Sequence, residues 1–239
     1  GSSYNQIPNA FASVFPGIHT VNFPGGANII EGFAVNSWLR TLLIHETAHL
    51  YQLNAKRSLS KISHLIFRNN DVTLFPLPFF ISSFTTIPIP IITAPNVYLP
   101  TWILEGNAVF NESRFGNGGR LYSGEARALF YNMIKNGQVD AVSLTNDHID
   151  FPYGESKYII GGYLFAYLAS VVGINEANDF FYSHALHYWN PLRINKTFKD
   201  KFKISYDDFI QRAIYYYLAE AYLLEKAEGM IITKSKKLF

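Results

Sequence analysis

The sequence predicts an α+β fold, with a small N-terminal sheet, a long helix packed on that sheet and a mainly helical C-terminal half. Residues 18–22 alternate in polarity like a strand, and residues 28–34 are compatible with a second strand. Residues 36–54 carry Trp and Leu at helical spacing, which is typical of one amphipathic helix. Further segments with helical periodicity are 123–135, 155–172, 176–186 and 206–228. The second half of the chain is therefore expected to be built from helices.

Length and composition predict one folded unit of two subdomains. The chain has 239 residues, 49% hydrophobic and 16% charged, which is enough to bury a large core and far from a disordered composition. We place an N-terminal subdomain at 1–115 and a helical C-terminal subdomain at 116–229. Residues 230–239 form a tail, which is either a short strand or the start of a further domain.

Charge and cysteine content exclude several kinds of site. The net charge is +2, and the basic residues do not cluster apart from Lys234, Lys236 and Lys237, so no nucleic-acid partner is expected. The chain has no cysteine, which excludes disulfides and thiolate metal sites.

The pentapeptide His45-Glu46-Thr47-Ala48-His49 lies inside the helix predicted at 36–54. Residues four apart share one face of a helix, so both imidazoles can reach a single metal ion while Glu46 lies one position round. This arrangement predicts a zinc hydrolase. The alternative is a chance match of a short motif on a surface helix.

Glu105 is the candidate for the third protein ligand that a mononuclear catalytic zinc needs. It lies one turn into a helix that Pro100 is suited to begin, within the stretch 102–108 (WILEGNA). Glu112, seven residues later on the same helix face, is a candidate to accept a hydrogen bond from a metal-bound imidazole. The alternatives are a helix-start glutamate favoured by the helix dipole for Glu105 and an exposed salt bridge for Glu112.

Trp-x-x-Glu-Gly-x-Ala after His-Glu-x-x-His resembles the gluzincins, the thermolysin-like metallopeptidases in which a glutamate on a second helix completes the zinc site. The resemblance implies a thermolysin-like zincin catalytic domain. It implies one zinc ion per chain, held by His45, His49 and Glu105, with Glu46 as the general base.

A third match comes at Tyr158, three residues before Gly161. In the aminopeptidase branch of the gluzincins, a tyrosine in this relation to a helix glycine hydrogen-bonds the developing oxyanion, so the resemblance implies that role for Tyr158. The alternative is a tyrosine packed in the core. Gly161 and Gly162 each cost about 1 kcal/mol in a helix relative to alanine, which indicates that another backbone or a substrate comes close.

Two departures from the aminopeptidases concern substrate binding. The spacing between the two ligand helices is much longer here, and the upstream Gly-x-Met-Glu-Asn stretch, whose glutamate captures a free amino terminus, has no full counterpart. Its nearest match is Gly25, Gly26, Ala27 and Asn28, which we assign to substrate binding. The choice between endopeptidase and exopeptidase stays open.

The long insertion is apolar. Residues 72–104 contain no charged residue, and 73–95 are rich in Leu, Phe and Ile. The prolines within it argue against a transmembrane helix, because each interior proline removes a hydrogen bond that lipid cannot replace. It is expected to cover the core, to contact a membrane surface or to line a hydrophobic substrate channel.

The expected function is a zinc-dependent peptidase that acts on peptide or protein substrates. The alternatives are a non-catalytic or membrane-surface binding module that retains the fold, and a zinc hydrolase with a non-peptide substrate. His184 and His187, three apart on a predicted helix, are a lesser candidate for a second metal site or an oxyanion contact. The compartment is open, with an exported, periplasmic or membrane-associated bacterial location favoured.

Overall fold

The computed structural model describes residues 9–13, 19–23, 38–55, 95–115, 118–146, 152, 154–187, 190 and 193–228. Two strands come first, β1 (Asn9–Ser13) and β2 (His19–Phe23). The helices in chain order are α1 (Trp38–Asn54), α2 (Thr101–Arg114), α3 (Gly124–Lys135), α4 (Ala141–Asn146), α5 (Ser156–Val172), α6 (Ile174–Ala185), α7 (Ile194–Phe202) and α8 (Tyr206–Glu228). Short 3-10 turns at Pro95–Tyr98 and Arg120–Tyr122 precede α2 and α3.

The predicted α+β fold is wrong, because the described part of the chain is mostly helical. Its strands are limited to one antiparallel hairpin, in register from Asn9 opposite Phe23 to Ser13 opposite His19. Alternation over five residues is enough for a hairpin strand, whereas a sheet layer needs further strands to pair with it. Residues 28–34, expected as the second strand, lie outside the described residues.

Helices α2 and α5 form the closest helix contact of the described fold, at Gly106 and Gly161. A Cβ added at Gly106 would lie 2.3 Å from the Gly161 carbonyl oxygen, and one added at Gly161 would lie 2.5 Å from the Trp102 carbonyl oxygen. The two backbones therefore meet at a distance that only glycine permits. Glu105 precedes Gly106, and Tyr158 lies one turn before Gly161, so the crossing places both residues near α1.

The core joins α2 to the C-terminal helices. Trp102 is buried, donates from Nε1 to the Tyr206 hydroxyl at 2.8 Å and stacks on the Tyr206 ring. Buried side chains of the same cluster run from α2 through α8. The core therefore crosses the division predicted at 115/116. Helix α8 is capped by Ser205, whose Oγ accepts from the Asp208 amide at 3.1 Å.

No individual helix among the described residues has both the length and the apolar character needed to cross a membrane. The bent pair α5 and α6 meets that test only when its two helices are taken together. Residues 73–94 of the apolar insertion, for which membrane contact is one of three expectations, lie outside the described residues.

Candidate metal centre

Helices α1 and α2 bring His45, His49 and Glu105 together. His45 Nε2 lies 3.0 Å and His49 Nε2 lies 3.2 Å from Glu105 Oε2. The two Nε2 atoms are 3.1 Å apart. Within the described residues this is the one group of three His or acidic side chains that could hold a metal ion, with ligand atoms within 4.8 Å of one another. The structure thus assembles the three residues that the sequence proposed as ligands.

The other ring nitrogen of each imidazole is occupied by an oxygen acceptor. His45 Nδ1 donates to Glu112 Oε1 at 2.6 Å, and His49 Nδ1 donates to Gln52 Oε1 at 2.9 Å. These contacts place the proton of each neutral imidazole on Nδ1. The Nε2 atoms are then left with lone pairs that point into the cluster.

The orientation of the Gln52 amide is fixed by its surroundings. Its Nε2 donates to the Leu104 carbonyl oxygen at 2.9 Å and to Asn107 Oδ1 at 2.8 Å. A backbone carbonyl can only accept, so the amide nitrogen must face Leu104 and the oxygen must face His49. Gln52 is fully buried, which excludes water as the competing partner.

A cation fits the centre of this cluster. Two Nε2 lone pairs and one carboxylate oxygen converge, and such groups repel one another unless a positive charge lies between them. Two neutral imidazoles and a carboxylate are a donor set that zinc accepts in other proteins.

The pKa shifts of His45 and Glu105 also indicate that the cluster favours a cation. Burial lowers the pKa of His45, but its contacts with the Glu105 and Glu112 carboxylates outweigh burial and raise that pKa to about 9. Burial raises the pKa of Glu105, but its contacts with the two imidazoles outweigh burial and hold that pKa well below its usual range. The cluster therefore attracts a positive charge, either a proton or a metal ion.

Glu46 is a buried carboxyl group beside the two histidines. It is 4% exposed, and its Oε2 has no hydrogen-bond partner among the described residues. Burial raises its pKa, and the nearby carboxylates of Glu105 and Glu112 act in the same direction, against the two histidines. A carboxylate with a raised pKa is suited to accept and return a proton near neutral pH.

Tyr158 lies beside His45. The ring centroids of Tyr158 and His45 are 6.0 Å apart. Burial raises the pKa of the Tyr158 phenol far above neutral, with the charge of Glu105 adding to the effect, so the hydroxyl keeps its proton and can donate. The structure therefore places a hydrogen-bond donor next to the metal ligands.

The lesser candidates lie elsewhere or cannot be placed. His184 is buried on α6, with its Nδ1 3.2 Å from Thr197 Oγ1 and its ring stacked on Phe180. His187, expected on the same helix, lies two residues beyond its end and is partly exposed, and burial lowers its pKa. Residues Gly25, Gly26, Ala27 and Asn28 lie outside the described residues, so their assignment to substrate binding stays a prediction.

Two residues of the centre were missed from the sequence. Gln52 lies three residues after His49 on one helix, so its contact was foreseeable from helical spacing. Arg120 donates from Nη1 to Glu112 Oε1, and its guanidinium carbon lies 4.7 Å from the Tyr158 ring centroid. No spacing rule predicts that contact, because Arg120 lies outside the helices that carry the motif.

Comparison with known proteins gives no match: no family model, no curated protein and no solved structure corresponds to this chain. The membership of the gluzincins therefore stays a prediction, carried by the residues and their geometry.

Proposed function

We propose that this protein is a zinc-dependent peptidase of the gluzincin type. The observation that supports this best is the convergence of His45 Nε2, His49 Nε2 and Glu105 Oε2, with both Nδ1 atoms held by oxygen acceptors. A cluster of this composition beside a buried carboxyl group is the donor set of a catalytic zinc with a general base.

The proposed mechanism assigns one role to each side chain. Bound Zn²⁺ supplies Lewis acidity, which polarises the scissile carbonyl and lowers the pKa of a water molecule toward 7. Glu46 accepts a proton as the water oxygen attacks the carbonyl carbon, and it gives that proton to the amine as the C–N bond breaks. Tyr158 donates a hydrogen bond to the carbonyl oxygen as negative charge develops there.

Two measurements on the purified chain test the proposal. The metal content is determined first, and the chain is then depleted with a chelator and incubated with a peptide library before and after zinc is returned. We expect about one zinc per chain, with cleavage that disappears on depletion and returns with zinc. Zinc binding without cleavage of any peptide would favour a non-catalytic module or a hydrolase of non-peptide substrates.

A further inference from the structure

Arg120 is brought to the metal centre by a glycine turn. Gly118 and Gly119 have φ angles of 100° and 114°, which side-chain-bearing residues rarely adopt. A Cβ added at Gly119 would lie 2.6 Å from Ser113 Oγ, and the Leu121 amide donates to that same Oγ at 3.3 Å. The turn therefore lies against the C-terminal end of α2, one residue after Glu112.

The Arg120 guanidinium contacts two residues of the proposed site at once. Its Nη1 donates to Glu112 Oε1, the same oxygen that accepts from His45 Nδ1 at 2.6 Å. Its guanidinium carbon lies over the Tyr158 ring, 4.7 Å from the ring centroid. The side chain of Glu112 is only 2% exposed, so its ion pair with Arg120 is shielded from solvent.

We propose that Arg120 is a positioning residue that fixes Glu112 behind His45 and Tyr158 beside the metal, an inference that rests on the proposed function. Arg120 Nη1 and His45 Nδ1 both contact Glu112 Oε1, so Arg120 holds that oxygen where it accepts from the imidazole. Stacking on the guanidinium limits the rotation of the Tyr158 ring.

The charges of the site explain why a divalent cation fits. Glu46, Glu105 and Glu112 supply three carboxylates, and both imidazoles are neutral when they bind metal. Arg120 offsets one of the three negative charges, and a divalent cation offsets the other two.

Substitutions of Arg120 separate its charge from its shape. Arg120→Ala is expected to weaken zinc binding by about 10- to 100-fold, the usual effect of losing support behind a ligand. Arg120→Lys keeps the charge and loses the planar fork, so it should restore most of the zinc affinity but not the turnover number. Arg212→Ala, which removes an exposed arginine of α8, is the matched control and should change neither.

Two double-mutant cycles test whether Arg120 acts through its two contacts. Zinc affinity is measured for Arg120→Ala, Glu112→Gln and the double variant, and kcat at saturating zinc is measured for Arg120→Ala, Tyr158→Phe and the double variant. In each cycle we expect the zinc affinity or kcat of the double variant to lie within about twofold of that of the more damaged single variant. The second change removes an interaction that the first has already lost. A residue with a general structural role gives effects that multiply.

The inference and the proposed function fail in different ways. If the parent binds zinc and cleaves peptides while Arg120→Ala matches it in zinc affinity and kcat, or if the effects multiply in both cycles, the positioning role of Arg120 is wrong and the function stands. If the parent binds zinc but cleaves no peptide, the cycle of Arg120→Ala with Glu112→Gln, which measures zinc affinity, decides alone whether Arg120 is a positioning residue. If the parent binds no zinc, the function and the inference on metal support both fail. Thermal unfolding of the metal-free variants shows which of them are folded. If Arg120→Ala is unfolded, Arg120→Lys replaces it in both cycles.

Discussion

The two histidines of the metal centre are supported in different ways. His45 donates to Glu112, a buried carboxylate that is ion-paired with Arg120. His49 donates to Gln52, a neutral amide held by a backbone carbonyl and by Asn107. One imidazole is thus oriented by a charged pair from α2 and the following turn, and the other by an amide from its own helix.

This difference shows how much of each support comes from another element of the fold. Gln52 shares α1 with His49, so helical spacing brings the amide within reach of the imidazole, and Leu104 and Asn107 of α2 then fix the orientation of that amide. On the His45 side the acceptor itself comes from α2 and its ion-pair partner from the turn that follows, because Glu112 and Arg120 lie on those elements. Both supports therefore need α2 to be docked on α1, but only the His45 side takes its acceptor from another element.

The largest expected effect comes from removing either imidazole. His45→Ala and His49→Ala should each weaken zinc binding by on the order of 10³-fold or more. The binding free energy of a protein zinc site, about 10–16 kcal/mol, comes from only a few ligands, so each ligand contributes a large part of it. Competition with a chromogenic chelator measures both constants. If one of the two variants keeps parental affinity, that histidine is not a ligand and the comparison between them loses its basis.

Glu46→Gln tests catalysis on a site whose ligands are intact. The amide has the size of the carboxylate but cannot accept a proton, so turnover should drop by about 10² to 10⁴ while zinc content stays at the parental level. Single-turnover kinetics on a peptide identified from the library measures the drop. Undiminished cleavage would show that the proton acceptor is a different group.

Tyr158→Phe tests the side of the centre that lies beside His45. Loss of one preorganised donor should reduce kcat by about 10² to 10³, with KM and zinc content nearly unchanged. Tyr163→Phe is the control, because Tyr163 is buried and stacks on Phe130 with ring centroids 4.4 Å apart. If Tyr163→Phe is the more damaged variant, Tyr158 is not the oxyanion donor.

The smallest expected effect distinguishes the two supports themselves. Glu112→Leu and Gln52→Leu each remove one acceptor, and each should weaken zinc binding by about 10- to 100-fold. The Glu112 variant should be the weaker binder, because hydrogen bonds to charged acceptors are roughly twice as strong as neutral ones. Calorimetric zinc titration ranks the two. Equal affinities would mean that the charge on the His45 side contributes nothing.

Helical spacing predicted most of the candidate centre, although the contact of Gln52 with His49, which also depends on it, was missed. His45, Glu46 and His49 are fixed by one helix, and Glu112 follows from Glu105 by two turns of another. Arg120 could not be predicted, because its place depends on two glycines with positive φ that lie outside any helix. The helical segments 123–135, 155–172 and 206–228 agree within one residue with α3, α5 and α8.

The error in fold class has a specific physical cause. Strand alternation at 18–22 agrees within one residue with β2, but a strand does not specify how many partners it has. The partner of β2 is β1, at Asn9–Ser13, and no alternation identified β1 in the sequence. The cost of the two glycines of α5 correctly indicated a close approach, which is the backbone of α2 at Gly161 and the side chains of Val109 and Leu121 at Gly162.

The central claim is that His45, His49 and Glu105 bind one zinc ion, and anomalous diffraction at the zinc edge from crystals of the zinc-loaded protein tests it most directly. We expect one anomalous peak per chain, about 2.0–2.2 Å from His45 Nε2, His49 Nε2 and a Glu105 carboxylate oxygen. The Nδ1 atoms should still face Glu112 and Gln52. A zinc-loaded crystal with no peak between these three side chains, or with the peak on an Nδ1 atom, would contradict the account.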